Sequence, residues 1–183
     1  MKGKNLTKKL AMAGVFTALA VAGSLISFPV AGSKCAPVQH MVNILCGVLL
    51  GPGWGVGVAF CASLLRNLFG IGSLMAFPGS MVGALCCGLA FYFLKKIPFT
   101  GRLAVTCVAE AIGTGFLGGL CAYPVAVLLM GLAPAGLFVY VIPFFISTGV
   151  GSVLAFILII ALKKAGVLNY FMTTEKNSKK TEE

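Results

Sequence analysis

The chain has 183 residues, of which 59% are hydrophobic and 10% charged, against about 45–50% and about 25% in an ordinary soluble domain. With a mean hydropathy of +1.03, this composition excludes a soluble enzyme, a disordered segment and a nucleic-acid binder. The formal charge of +10 does not reopen the last class, because of where it sits. Of 14 Lys and Arg, four lie at 2–9, three at 95–102 and five at 163–180, leaving only Lys34 and Arg66 elsewhere. The clusters flank apolar runs, as cytoplasmic loops do under the positive-inside rule.

A membrane-spanning helix takes about 20 apolar residues, so the chain has room for about six. The first run, Leu10 to Phe28, follows Lys8-Lys9. Its length exceeds the roughly 7–15 residues of a signal-peptide core, so it is read as a retained span despite small-residue pairs such as Ala18 and Ala20. Pro29 to Pro37 reads as a loop, punctuated by prolines and glycine. It holds Cys35, expected from this position to be the most outward-accessible thiol. The remaining cysteines lie inside apolar runs without C-x-x-C spacing, as packing residues do.

The second run, Val38 to Leu50, is short for a span. A third extends from Trp54 to about Phe69 and a fourth from about Ala76 to Leu94. The fifth starts near Leu103 and continues to Met130, with a kink expected at Pro124. The sixth runs from about Leu137 to Leu162. The expected fold is thus an all-α integral membrane protein, a six-transmembrane-helix bundle with both termini cytoplasmic. Residues 1–168 form one substrate-binding domain and 169–183 a polar cytoplasmic tail. This arrangement puts 12 of the 14 cations on the cytoplasmic side.

Ionisable groups inside a membrane are expensive and are functional candidates by default. Three fall in the runs: His40, Arg66 and Glu110, the last being the only acid before residue 175. His40 and Asn43 share a helix face at i and i+3. The topology gathers them with Lys34, Arg66, Ser80, Tyr123 and Tyr140 toward one outward-facing cavity, the expected ligand site. Glu110, about two turns into the fifth run, looks deeper than the others. Gly115 and Gly119 form a G-x-x-x-G pattern suited to packing on a neighbouring span. Gly14, Ala18 and Ala22 place a small-residue stripe on the first run, suited to a helix of another protein or to internal packing. Nucleotide-binding loops, H-E-x-x-H, G-x-S-x-G and acidic metal pairs are absent from the sequence, so no catalytic or metal-binding residue is assigned.

These features resemble the substrate-binding S component of energy-coupling factor (ECF) vitamin transporters. The stretches FPVAGSKCAPVQHMVNILCGVLLGP (28–52), FCASLLRNLFGIGSLMAFPGSM (60–81) and EAIGTGFLGGLCAYPVA (110–126) resemble the thiazole, or ThiW, branch. The resemblance implies a multi-pass protein of a bacterial-type cell membrane that captures a thiamine precursor, hydroxyethylthiazole. It implies docking through Gly14, Ala18 and Ala22 onto a transmembrane coupling subunit driven by two cytoplasmic ATPases, with ATP used by those partners and no cofactor on this chain. Tyr123 or Phe77 would stack on the ring, and His40, Asn43 or Glu110 would meet its polar atoms. Lys34 and Arg66 bring more charge than a neutral ligand needs, which keeps a pyrimidine or phosphorylated precursor, or another vitamin, open. Two readings of other classes also stay open. One is a small membrane enzyme with Glu110 and His40 as acid and base, which needs both within reach of one atom. The other is a proton-coupled carrier relaying through Glu110.

Overall fold

The structure, a computed structural model, describes residues 2–30 and 33–168, with side chains from Leu6 onward. The tail expected at 169–183 lies outside the described residues. Six helices carry the chain: α1 (Lys2–Gly23), α2 (Pro37–Leu49), α3 (Pro52–Leu68), α4 (Ala76–Phe93), α5 (Phe99–Leu128) and α6 (Val141–Lys164). Four of them, α1, α4, α5 and α6, contain stretches long and apolar enough to cross a membrane. At 13 residues, α2 is roughly 20 Å long, short of the ~30 Å hydrocarbon core. At 17 residues, α3 falls just under the length of the other four.

Its position explains why α2 can be short. It packs against α1, α3, α4, α5 and α6, and ten of its 13 residues are buried. Protein rather than lipid covers its ends. The outer faces of the bundle are apolar instead: Leu85, Val108, Ile112, Phe116, Ile142, Val153 and Ile157 are all exposed. Polar side chains go inward, among them Gln39, Asn43, Arg66, Thr106, Glu110 and Thr148. That inversion of the soluble pattern is what a lipid-facing surface requires.

Glycines set how closely the helices approach. A Cβ on Gly118 would stand 2.6 Å from Gly79 Cα, and one on Gly47 would stand 3.2 Å from Gly88 Cα. Both distances place backbone against backbone, α5 on α4 and α2 on α4. Gly115 and Gly119, the G-x-x-x-G pair, meet Phe145 and Val141 of α6.

The expected loop at 29–37 is largely a β-hairpin. β1 (Phe28–Val30) and β2 (Ser33–Cys35) pair antiparallel, with Phe28 opposite Cys35 and Val30 opposite Ser33. Proline at position 29 is tolerated because the strand is an edge. Alternation in β2 buries Ser33 and Cys35 and exposes Lys34. The helix α5 continues through Pro124 to Leu128, and it also carries an irregularity the sequence did not suggest, a π-helical segment over Ala111–Gly118.

At the end where α4 stops and α5 starts, cations lie on rings. Arg102 Nε donates to the Phe91 carbonyl at 2.6 Å with its guanidinium 3.5 Å over the Phe91 ring, and Lys163 lies 4.3 Å over Phe99. Long basic side chains thus cover apolar surface while their charges reach the rim.

Cys35 corrects the expectation of an accessible thiol. It is 1% exposed, its Sγ donates to the Pro143 carbonyl at 3.1 Å, and burial raises its pKa above the ordinary thiol value. The thiolate is the reacting species, so a raised pKa slows alkylation at neutral pH. Water-soluble maleimide should label Cys35 in folded protein at least about tenfold more slowly at pH 7 than after denaturation, with the rate climbing as pH rises past 9. Rapid labelling of folded protein at pH 7, read by mass spectrometry, would mean that the hairpin is not seated as described.

Candidate functional site

The site starts from Glu110, the last residue before the π segment. It is completely buried. Asn43 Nδ2 and Thr114 Oγ1 each donate to its Oε1 at 3.0 Å, and His40 Nδ1 stands 3.2 Å from the same oxygen. Its Oε2 has no hydrogen-bond partner. Three helical residues on two helices therefore converge on one oxygen. The i, i+3 spacing on α2 delivers His40 and Asn43, and Thr114 lies four residues on in α5. The fourth wall is α4, where Gly83 leaves its side-chain position to the carboxylate: a Cβ there would come 2.7 Å from Oε2 and 2.8 Å from Oε1.

A second string of polar groups runs from this centre toward α3. Asn43 Nδ2 also donates to the Ser80 carbonyl at 3.1 Å. The Ser80 hydroxyl meets that of Ser63 at 3.0 Å, and Gln39 Nε2 donates to Ser63 Oγ at 3.2 Å. Buried hydroxyls and amides are satisfied side chain to side chain here, as membrane interiors demand.

Above this floor is a cleft lined by Lys34, Gln39, His40, Arg66, Gly79, Ser80, Thr114, Phe144 and Ser147, with Ser33, Ala36, Ser73 and Ala76 at its rim. Its volume is about 30 Å³, room for a water or two. A larger guest requires the walls to part. The hairpin crosses the mouth. Ala36 N–H donates to Ser147 Oγ at 2.9 Å on α6, and Lys34 Nζ reaches the Ile71 carbonyl of the α3–α4 connection at 3.4 Å.

Lys34, His40, Arg66 and Ser80 thus line the cleft, and Asn43 and Glu110 lie directly beneath it. Tyr123 and Tyr140 do not line it. They pack with Met75, Ala122 and Ala126 behind Phe144. Phe77 pairs with Phe60, ring centroids 5.7 Å apart, and the aromatic ring in the cleft wall is Phe144. Gln39, Thr114 and Phe144 escaped the sequence reading. Thr114 had a usable signal, since it follows Glu110 by four residues. Gly14, Ala18 and Ala22 lie on the exposed face of α1, while Ala13, Phe16 and Ala20 face α2 and α3.

The apparent depth mismatch of Glu110 disappears because α2 is short and central, so its first turns already lie at the level of Glu110. As a result, depth does not separate an enzyme from a binding protein: His40 and Glu110 are in contact. An apolar exterior around a polar interior defines a helical membrane protein, with a polar cleft as its candidate site. The sequence model described as thiamine-precursor transporter protein (ThiW) matches residues 10–165, and the chain belongs to that family. It is a family of transporters, not of enzymes. No curated protein and no solved structure matches the chain.

Asn43 joins three helices through one amide. Asn43→Ala leaves the Ser80 carbonyl and Glu110 each short of a donor. We expect a loss of about 1–3 kcal/mol in unfolding free energy, read by denaturant titration in detergent. Stability within experimental error of the parent would show that the network contributes no net stability.

Proposed function

We propose that this transporter is the substrate-capturing S component of an ECF-type importer in the cell membrane, taking up hydroxyethylthiazole. The observation that carries this reading is the cleft. It lies at the end of the bundle opposite Lys95, Arg102 and Lys163, and the positive-inside rule makes that basic end cytoplasmic. In this reading α2 and α3 count as spans, giving six with both termini inside and the cleft outward-facing. The thiazole ring packs on Phe144, and its hydroxyl and ring nitrogen meet His40, Ser80 and Thr114. Glu110 holds His40 and Thr114 in place from below and offers Oε2 to a donor. Tyr123 and Tyr140 back the aromatic wall.

The energy comes from elsewhere. The sequence has no nucleotide-binding loop; the resemblance to ECF S components implies that two cytoplasmic partner subunits hydrolyse ATP and act through a transmembrane coupling subunit. The exposed stripe Gly14, Ala18 and Ala22, with nothing within 4 Å of a Cβ added at Gly14, supports α1 as the docking helix. A second reading, a proton-coupled carrier acting without partners, is favoured only by the His40–Glu110 contact.

Two experiments bear on these assignments. Glu110→Gln should weaken hydroxyethylthiazole binding to purified protein by roughly ten- to a hundredfold, the worth of a hydrogen bond to a charged group, beyond any loss of folded protein. Unchanged affinity would make Glu110 structural.

Ala18→Leu combined with Ala22→Leu should leave binding intact while abolishing co-purification with the coupling subunit and uptake, because bulk on the stripe keeps a partner helix away. Lost binding with an intact complex would place α1 in internal packing. Uptake by the chain alone in liposomes under a proton gradient would favour the carrier.

A further inference from the structure

Arg66 is 2% exposed, lines the cleft, and has a buried Nε without a hydrogen-bond partner. Guanidinium does not lose its proton in proteins, so its charge persists wherever it is placed. A buried cation needs an opposite charge nearby. The sequence offers little choice: Glu110 is the only carboxylate before residue 175. The side chains around it are those of His40, Asn43 and Thr114, and Arg66 is not among them. Among the described residues, Arg66 therefore faces the cleft without a carboxylate of its own.

Lys34 adds to this field rather than relieving it. Its Nζ sits on the Ile71 carbonyl, and the Ile71 N–H bonds back to the Arg66 carbonyl at 3.0 Å. Lys34 thus meets the α3–α4 connection close to the last turn of α3, which carries Arg66, and both side chains line the cleft. The same cleft lining offers the hydroxyls of Ser33 and Ser73 and the amide of Gln39. α2 and α4 both begin at this wall, with Ala36 and Ala76 at the rim, so the positive ends of two helices point the same way.

We propose that Arg66 and Lys34 form an anion subsite at the mouth of the cleft, one that takes the phosphate of a phosphorylated precursor while its ring occupies the place assigned to hydroxyethylthiazole. This rests on the thiamine-precursor reading of the cleft and deepens it. A phosphate monoester presents several oxygens to the forked guanidinium, which suits Arg better than Lys. The organic part then extends inward toward Phe144, His40 and Thr114. The cleft has two chemical ends, cationic at the mouth and carboxylate-based at the floor.

Two measurements on the purified full-length chain decide the matter. The first is thermal unfolding with inorganic phosphate against chloride at equal ionic strength, for the parent, Arg66→Gln, Arg66→Lys and Lys34→Gln. The second is competition binding of hydroxyethylthiazole and of its phosphate monoester to the same proteins. Phosphate should stabilise the parent, less so Arg66→Lys, and not Arg66→Gln. The parent should bind the monoester roughly ten- to a hundredfold more tightly than the alcohol. Lys34→Gln, an exposed position that will not perturb folding, should cut the preference severalfold, which keeps the test valid if Arg66→Gln does not fold.

No stabilisation by phosphate, with alcohol and ester bound alike, overturns the subsite and leaves the transporter reading standing. Stabilisation by phosphate that needs Arg66, with neither thiazole bound, keeps the subsite and overturns the thiazole ligand. Arg66→Gln weakening alcohol and ester equally makes Arg66 a structural cation and also overturns the subsite.

Discussion

One carboxylate in the middle of an apolar bundle sets the terms for everything around it. An ionised or hydrogen-bonding acid removed from water costs several kcal/mol unless donors replace the water. Glu110 obtains them from two helices and lies in the space a glycine leaves on a third. That requirement fixes the depth of α2, whose first turns must reach the level of Glu110. It also fixes the face of α2 that turns toward α5, since His40 and Asn43 must both arrive. A small side chain at position 83 follows for the same reason. A Cβ there would overlap Thr114 Oγ1 and both carboxylate oxygens.

The close approach of the helices serves the same end. Hydrogen bonds of about 3 Å between side chains as short as Asn, Ser and Thr require backbones nearly in contact. Gly79 against Gly118 and Gly47 against Gly88 provide this on both sides of α4. Without a hydrophobic driving force between helices in lipid, such packing and the polar bonds it permits are what hold the bundle together. The glycines and the polar network are therefore two halves of one solution.

This logic decides what could be read from the sequence. Apart from α1, which runs from Lys2 to Gly23 rather than from Leu10 to Phe28, the helices were legible within a few residues, because apolar runs between basic clusters and Gly/Pro breaks mark them plainly. The pairing of His40 with Asn43 on one face was legible too, since it is local. The company Glu110 keeps was not. Its apparent depth came from counting turns along the fifth run alone, whereas the first turns of the short, buried α2 meet Glu110 directly. The hairpin at 28–35 was hidden because two three-residue strands carry no periodicity, and the burial of Cys35 was lost with it. Tyr123 and Tyr140 looked equivalent to the cleft residues because span order gives height but not azimuth. Only tertiary packing reveals that they stand behind Phe144.

The two ends of the cleft are held with unequal strength. At the floor, two side-chain donors and an imidazole converge on one fully buried carboxyl oxygen, where leaving a buried polar group without its partners costs about 1–3 kcal/mol. At the mouth the hairpin is tied to α6 by a thiol, which is a weak donor, and by one N–H to a serine. It meets the α3–α4 connection through an exposed lysine at 3.4 Å, and exposed charged side chains contribute little. Admitting a ring into a cavity of about 30 Å³ means parting one of these ends. Lifting the hairpin breaks the weaker set and leaves Glu110 with all its donors, whereas parting α2 from α5 would strand a buried acid. The route of least cost into the cleft therefore runs past Lys34 and Cys35, and the polar floor stays assembled to meet whatever enters.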